Sequence, residues 1–376
     1  MADPVGSGRP DDAELPEGAA CLVPDADAWR GLGEVEVGLD PEGVVVDRAR
    51  ERAYVACSRS NSVAVVDLAT MTRIGEIPVG TEPIDVVIDE RTGRVVSADL
   101  RSNQLSVIDT ASDEVVAQIE VGYFPAGLGI DVEGRRIYVG NTAGASVSVV
   151  DVDSLEVVGT VPAEFGAGAV AVDTRRQRAY CVNFLAGSVT VIDTERLELV
   201  GRLEVGDGPC AVAVNPDLDE VYVVNSIAGT LTRIDTTSES ISGTLAAGQA
   251  PVGLAAGPAG DRLYVANRGE GSVSVVGIDG REWYRIPVGA APGGVSVHPA
   301  NDRRILVANA GTGTLTVFDD LLASPSLDGA VLAPARHPLV GKRLPEFALP
   351  GLRSAELHDS REWSERKYIL NFFASW

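Results

Sequence analysis

The chain has 376 residues and a formal net charge of -23, from 54 acidic and 31 basic residues. Such an acidic surface repels phosphate backbones and anionic lipids, so it disfavours nucleic acid and membrane surfaces as partners. Hydrophobic residues make up 45% of the chain but aromatic residues only 5%, and there are 41 glycines. This balance favours many short strands joined by turns over long helices.

The first 30 residues are predicted to form a flexible acidic tail. They begin "MADPVGSGRP", without the basic start and apolar core of a secretory signal, and no later run is long enough to span a bilayer. The sequence as written therefore predicts a soluble, cytoplasmic chain. A processed or wrongly assigned start would make an extracytoplasmic location the expectation instead.

A repeat of 42 residues organises positions 31–320. Three strand-like series run in step through it, typified by "AYVAC" at 53–57, "RIGEIP" at 73–78 and "EPIDVVID" at 82–89. A fourth series ends on one recurrent position: Asp67, Asp109, Asp151, Asp193, Asp235, Gly277 and Asp319. Four short strands in each of seven units at this period predict an all-β fold, a seven-bladed β-propeller of four-stranded blades.

The N-terminal strand is predicted to close the ring. The seventh unit stops after its third strand, whereas "GLGEVEVG" at 31–38 matches the fourth-strand pattern "RIGEIPVG" at 73–80. One unit cannot cover its own apolar faces, so the units are expected to stack around an axis until the last meets the first.

These repeats resemble the YVTN family of β-propellers, named for the strand that reads "YVVN" here at 222–225. The resemblance covers residues 31–320 and implies the propeller fold. It implies little about activity, because propellers host many unrelated functions.

One face of the propeller is predicted to bind a protein or a small-molecule ligand. In an antiparallel blade, the loop entering the first strand and the loop joining the second and third strands emerge on one side. Those loops depart from the repeat at Arg59, Arg101, Tyr123, Phe124, Phe165, Phe184, Arg268 and Glu270. The aromatic members either form one partner-binding patch or fill gaps between loops, and the charged members either hold an anion at the channel mouth or form a solvated rim.

No catalytic residue, metal site or cofactor is predicted. His298 is the single histidine within the repeats and falls where other units carry aspartate or asparagine, so a strand-end structural role is the simpler interpretation. A structural role, through bonds to turn backbone, is also expected for Asn141, Asn183, Asn225, Asn267 and Asn309. Buried free thiols are expected among the four cysteines, Cys21, Cys57, Cys181 and Cys210, whose spacing fits neither a metal site nor a CxxC motif.

The 42-residue repeat does not continue after a predicted linker at 321–339. Residues 340–376 resemble the start of a redoxin, the thioredoxin-like group of thiol-disulfide oxidoreductases and peroxidases, with the motif matched at Gly341, Pro345, Phe347 and Trp376. In that family a short hairpin follows the G-x-x-x-P-x-F-x-L opening, and a redox C-x-x-C pair follows the strand that ends in A-S-W. The sequence stops before that pair, so an incomplete thioredoxin-like segment is predicted.

The sequence is compatible with three functions. The first is a non-catalytic binding or scaffold platform. The second is a fragment of a thiol-disulfide oxidoreductase or peroxidase whose propeller recruits substrate, in which case the longer polypeptide is an enzyme. The third, a propeller lactonase or lyase, is disfavoured because the repeats contain so few acid, base or metal-binding candidates.

Overall fold

The computed structural model describes residues 28–322 and two short strands at 348–350 and 357–359. Contacts divide the chain into two units, Met1–Ser326 and Leu327–Trp376. The redoxin-like motif residues lie outside the described residues: Gly341, Pro345, Phe347 and Trp376. Among the residues that are described, no helix is long and apolar enough to cross a bilayer.

The first unit is a ring of seven four-stranded antiparallel blades, which confirms the architecture that the repeat predicts. The chain begins the ring with β1 (Trp29–Glu36). Blades 1 and 2 contain β2 (Pro41–Asp47), β3 (Arg52–Cys57), β4 (Ser62–Asp67), β5 (Thr72–Pro78), β6 (Pro83–Asp89), β7 (Arg94–Asp99), β8 (Gln104–Asp109) and β9 (Glu114–Glu120). Blades 3 and 4 contain β10 (Pro125–Asp131), β11 (Arg136–Asn141), β12 (Ser146–Asp151), β13 (Val157–Pro162), β14 (Ala167–Asp173), β15 (Arg178–Asn183), β16 (Ser188–Asp193) and β17 (Glu198–Glu204).

Blades 5 and 6 contain β18 (Pro209–Asn215), β19 (Glu220–Asn225), β20 (Thr230–Asp235), β21 (Ser240–Ala246), β22 (Pro251–Ala256), β23 (Arg262–Asn267), β24 (Ser272–Gly277) and β25 (Glu282–Pro287). Blade 7 contains β26 (Pro292–His298), β27 (Asn301–Asn309), β28 (Thr314–Asp320) and β1. Single-turn 3-10 helices follow β3 and β7, at Ser58–Ser60 and Leu100–Ser102. In each blade the first strand in this order lies beside the first strands of the neighbouring blades, around a central channel.

Strand β1 completes blade 7, as the fourth-strand pattern predicts. It pairs with β28 from Trp29 opposite Asp320 to Glu36 opposite Thr314. Backbone bonds extend the pairing at one end, where Leu321 N donates to the carbonyl oxygen of Ala28 at 2.9 Å. The start and the end of the propeller are therefore held together by an antiparallel ladder, and no blade is left short of a strand.

The apolar core lies between the blades. One cluster joins Tyr180 and Val182 of blade 4 to Val221 and Val223 of blade 5, and similar clusters span the other interfaces. Fully buried tyrosines recur in the second strands: Tyr54, Tyr138, Tyr180, Tyr222 and Tyr264. Burying such a side chain contributes about 2 kcal/mol or more of transfer free energy, so every blade depends on its neighbours for stability.

The recurrent polar residues at strand ends are structural. Asp67 Oδ1 accepts the backbone N–H groups of Ala69 and Thr70 at 3.0 and 2.7 Å, and these bonds lower the pKa of the Asp67 carboxyl. Equivalent turns form at Asp151, Asp193 and Asp235. Each turn is an Asx turn, which fixes the connection to the fourth strand.

The asparagines are structural as predicted, but their partners differ from the expected turn backbone. Asn183 Nδ2 donates to the hydroxyls of Ser188 and Thr190 at 3.0 and 2.9 Å, across to the third strand of its own blade. The same pair of bonds occurs at Asn141, Asn225, Asn267 and Asn309. Blade 2 has Asp99 at this position, where it accepts bonds from two serine hydroxyls instead.

A buried polar network fastens blade 7 to blade 6. Asp320 is fully buried and accepts hydrogen bonds from Arg262 Nη1 at 2.8 Å, from the Tyr264 hydroxyl at 2.7 Å and from the Tyr284 hydroxyl at 2.5 Å. A charge so deeply buried is tolerated only because its lone pairs are satisfied. The network therefore stabilises the interface between blades 6 and 7, here called the seam, which adjoins the strand pair that closes the ring.

The glycine that interrupts the aspartate series has a packing reason at this seam. The Arg262 guanidinium carbon lies 4.7 Å from the centroid of the Trp283 ring, a cation–π contact. A Cβ at Gly277 would lie 2.5 Å from Trp283. Only glycine leaves room for the indole here.

The described part of the second unit is a two-stranded antiparallel hairpin. It is formed by β29 (Ala348–Pro350) and β30 (Leu357–Asp359), with Leu349 opposite His358.

Replacing Asp320 with alanine should lower the free energy of unfolding by about 3–5 kcal/mol, because three buried donors, Arg262 Nη1 and the Tyr264 and Tyr284 hydroxyls, would lose their acceptor. Asp217→Ala is the matched control, since Asp217 forms an exposed 2.9 Å pair with Arg175 and should change stability by less than about 1 kcal/mol. Urea unfolding followed by circular dichroism measures both variants. Equal stabilities would contradict the assigned role of the seam network.

Candidate binding site at the loop face and central channel

The loops that enter the innermost strands and the loops between the second and third strands lie together on one side of the ring, here called the loop face. Backbone hydrogen bonds join the two kinds of loop, as in Ser58 N to Asp40 O at 3.0 Å and Phe184 N to Gly166 O at 2.9 Å. Neighbouring blades are also joined, since Gly166 N donates to Thr142 O at 3.1 Å. Backbone hydrogen bonds thus connect the loops of the loop face to one another.

The four predicted aromatic side chains are exposed on the loop face of blades 3 and 4. Tyr123 and Phe165 are the most exposed, at 69% and 65%, while Phe124 and Phe184 are about two-fifths exposed, at 41% and 37%. Within residues 28–322 the only ring pair is Trp29 with Phe318, far from this face. The aromatic residues therefore do not stack on one another.

Two aliphatic side chains extend this surface, and the sequence reasoning missed both. Leu185 and Ile227 are 71% and 70% exposed and follow the strand-end asparagines of blades 4 and 5 by two residues. A cavity of about 380 Å³ separates Phe165 from Leu185. We call the six residues the apolar crescent: Tyr123, Phe124, Phe165, Phe184, Leu185 and Ile227.

The predicted charged residues of the loop face mostly form ion pairs. Arg101 Nε lies 2.7 Å from Glu82 Oε1 on the surface of blade 2. Glu270 pairs with Arg285 and accepts a backbone bond from the preceding loop. Arg59 lines a separate depression of about 520 Å³ at the junction of blades 7 and 1. Of the two alternatives for these residues, this arrangement favours the solvated rim over an anion site.

Arg268 is the exception among the charged residues, because it reaches into the channel wall. Its guanidinium binds the Glu42 carboxylate of blade 1 in a bidentate pair, at 2.7 and 3.3 Å. This pair joins blade 6 to blade 1 across Gly293 of blade 7. A side chain at Gly293 would collide with it, because a Cβ there would lie 2.7 Å from Glu42 Oε2. Burial raises the pKa of Glu42, and the Arg268 charge opposes that rise.

The central channel holds a cavity of about 610 Å³ beneath the loop face. Phe184 and Leu185 line its loop-face end, so the crescent and the channel share two residues. The walls come from the second to fourth residues of the innermost strands and are largely apolar, as in Val44, Leu128 and Leu254. We call this cavity the chamber.

A ring of small residues lets the innermost strands converge around the chamber. The third residue of these strands is small in six blades: Gly43, Gly127, Ala169, Ala211, Gly253 and Gly294. A Cβ at Gly127 would lie 2.5 Å from the Cα of Ala169, which shows how closely the strands approach. Blade 2 alone places a long side chain in this ring, at Asp85.

Asp85 is held by backbone groups of two blades. Its Oδ1 accepts Val86 N at 2.8 Å, and its Oδ2 accepts Leu128 N of blade 3 at 2.9 Å. Within residues 28–322, no lysine, arginine or histidine donates a hydrogen bond to it. Asp85 is partly buried in the chamber wall, and burial raises the pKa of its carboxyl to about 6.

The cysteines are partly as predicted. Cys57 and Cys181 are buried free thiols, whereas Cys210 is only partly buried and lines the chamber. Cys21 lies outside the described residues. Burial raises the pKa of the Cys210 thiol to about 12, so at neutral pH it is protonated and a poor nucleophile.

His298 has the structural role predicted for it. It is buried at the end of β26, and its Nδ1 accepts the backbone N–H of Ala300 at 3.1 Å. Its Nε2 lies 3.2 Å from Glu51 Oε2 without hydrogen-bond geometry, and burial lowers the pKa of the imidazole. In the described part of the chain, no cluster of three or more histidine, cysteine, aspartate and glutamate side chains is arranged to hold a metal ion.

The fold defines this chain as a seven-bladed β-propeller. More particularly, residues 131–262 match the family model of YNCE-like beta-propellers. The match spans part of the ring and does not test the YVTN resemblance, which stays a prediction. A search of curated proteins found no match.

Solved structures share the fold. A chain of the Kuenenia stuttgartiensis hydrazine synthase is similar with a TM-score of 0.68 and 19% identity, over 74% of this chain and 95% of that chain. At that identity the similarity shows the fold alone. Altogether 1619 solved chains match, and a fold so widespread does not select one function.

Ionisation of Asp85 should make stability depend on pH. Because the folded pKa of about 6 lies above the ordinary value of 3.8, the stabilising contribution is complete below pH 3.8 and is lost as pH rises through about 6. Relative to Asp85→Asn, the free energy of unfolding of the wild type should therefore fall by about 1.4 kcal/mol between pH 5 and pH 8. Urea titrations across this range measure the difference, and a constant difference would refute the assignment.

Proposed function

We propose that this propeller is a non-catalytic binding platform that takes a protein partner on the loop face through the apolar crescent. The observation that carries the proposal is the exposure of six large apolar side chains on loops of three adjacent blades, in a chain with only 5% aromatic residues. Leaving such side chains in water is unfavourable, and covering them drives association.

The rigidity of the loops supports this proposal. The exposed anchors sit on short loops whose backbones are bonded to one another, so the backbones of Phe184 and Tyr123 are held in place before a partner arrives. Preorganised aromatic anchors lose little conformational entropy on binding. Paired charges such as Arg101 with Glu82 lie at the edge of the same face, where a polar rim is common in protein interfaces.

The crescent should be required for partner binding, and other exposed apolar residues should not be. Phe165→Ser/Leu185→Ser should weaken capture of a co-purifying partner at least tenfold, because two exposed anchors become polar. Val158→Ser/Val200→Ser is the matched control on the outer strands, where both side chains are about half exposed, at 49% and 44%. Quantitative pull-down with each purified chain as bait measures the effect. Equal losses, or no loss in either variant, would overturn the proposed site.

A second candidate is a thiol-disulfide oxidoreductase or peroxidase whose propeller recruits the substrate. The hairpin of β29 and β30 favours it, because a short hairpin at this point is what the redoxin resemblance implies. The nucleotide sequence downstream of the Trp376 codon tests this candidate. An open frame that encodes Cys-x-x-Cys directly afterwards is the expected result, and a frame without it removes the support for an enzyme.

A further inference from the structure

The chamber contains a carboxyl group that partner binding on the loop face does not explain. Its walls are apolar, and its volume of about 610 Å³ lies within the range of small-ligand sites, roughly 300–1,000 Å³. Two carboxyl side chains line it, Glu42 and Asp85. Glu42 is neutralised by the bidentate Arg268 pair, whereas Asp85 has no cationic partner among residues 28–322. The chamber is therefore an apolar space with one unneutralised carboxyl in its wall.

The hydrogen bonds of Asp85 leave it able to accept more. Each oxygen takes one backbone N–H, at 2.8 Å from Val86 and 2.9 Å from Leu128. A carboxylate oxygen has two acceptor sites, so each keeps one that is free of these bonds. The backbone bonds also fix the orientation of the carboxylate, as a preorganised acceptor requires.

We propose that the chamber binds a small organic cation, a primary ammonium on an apolar body, with Asp85 as the acceptor of the ammonium group. An ammonium supplies three N–H donors and a compensating charge, and the apolar walls suit the rest of the molecule. An anionic ligand would meet no free cation, because the Arg268 charge is satisfied by Glu42. Ligand binding would then explain why blade 2 has Asp85 at the position where the other six blades have glycine or alanine.

Binding should depend on the ionisation of Asp85, because Glu42, whose pKa burial also raises, is held in the Arg268 pair. Of the strands packed against β6, β2 presents Glu42 to the chamber, and β10 presents no ionisable side chain there. Glu42 is paired with Arg268, and Cys210, which also lines the chamber, has a thiol pKa of about 12. The carboxyl of Asp85 has a pKa of about 6 and no cationic partner among residues 28–322, so its ionisation changes between pH 5 and pH 7.5. The Asp85→Asn variant separates this change from any contribution of Glu42.

Three probes that share an indole ring test the charge requirement: tryptamine, the neutral tryptophol and the anionic indole-3-propionate. Isothermal titration calorimetry at pH 7.5 with the full chain should show tryptamine binding at least tenfold more tightly than either of the others. At pH 5 the affinity for tryptamine should fall about tenfold, because Asp85 takes up a proton while the amine stays charged.

Two variants localise the effect, and a third controls for net charge. Asp85→Asn should lower tryptamine affinity at least tenfold and remove its pH dependence, and Asp85→Gly, which restores the residue found in other blades, should do the same. Asp217→Asn makes the same change of net charge at an exposed pair with Arg175 outside the chamber and should change affinity less than twofold. Tryptamine that fails to bind, or that binds all variants alike, would overturn the proposal, and Asp85 would then be a backbone-capping residue only. The crescent and its partner are untouched by either result.

Discussion

The antiparallel pairing of β1 with β28 is the interaction on which the rest of the structure depends. A four-stranded blade buries its apolar faces only against neighbours, so a row of seven blades would leave two faces in water. Pairing residues 29–36 with residues 314–320 closes the row into a ring, and the Asp320 network holds the closing blade against blade 6. Closure also creates the channel and aligns the loops of seven blades on one side.

Within this ring, the residues that repeat from blade to blade differ in role from those that do not. Positions that repeat, such as the Asx-turn aspartates and the strand-end asparagines, bond to their own blade and hold it together. Positions that break the repeat cluster on the loop face and in the chamber. The break at Gly277 is different, since it makes room for Trp283 and strengthens the seam. A departure from the repeat is therefore a signal of function only where it leaves a side chain exposed or unpaired.

The fold was predictable because the 42-residue repeat recurs seven times, once for each blade. Strand bounds also agree to within one residue, as for the predicted strands at 53–57 and 73–78, which the structure places at Arg52–Cys57 and Thr72–Pro78. The aromatic members of the crescent were visible because aromatic residues are rare in this chain. Leu185 and Ile227 were not, because an aliphatic residue after a strand is indistinguishable by type from a core residue until its exposure is known.

The chamber could not be predicted for a geometric reason. Arg268 and Glu42 are 226 residues apart and meet only because the ring closes and Gly293 leaves space between them. Asp85 lies in "EPIDVVID", where it reads as one more polar residue of an alternating strand. Its meaning depends on the third position of six other strands being glycine or alanine, and on a channel that a linear pattern does not contain.

The central claim is that binding resides in the departures from the repeat and stability in the repeat itself. One chain tests it: Asp85→Gly, Phe184→Ser and Leu185→Ala together replace three departures with residues that other blades carry at the same positions, Gly43, Ser226 and Ala143. The account predicts a urea midpoint equal to or above that of the wild type, with loss of both partner capture and tryptamine binding. A variant that unfolds far more easily, or that keeps both binding activities, would contradict it.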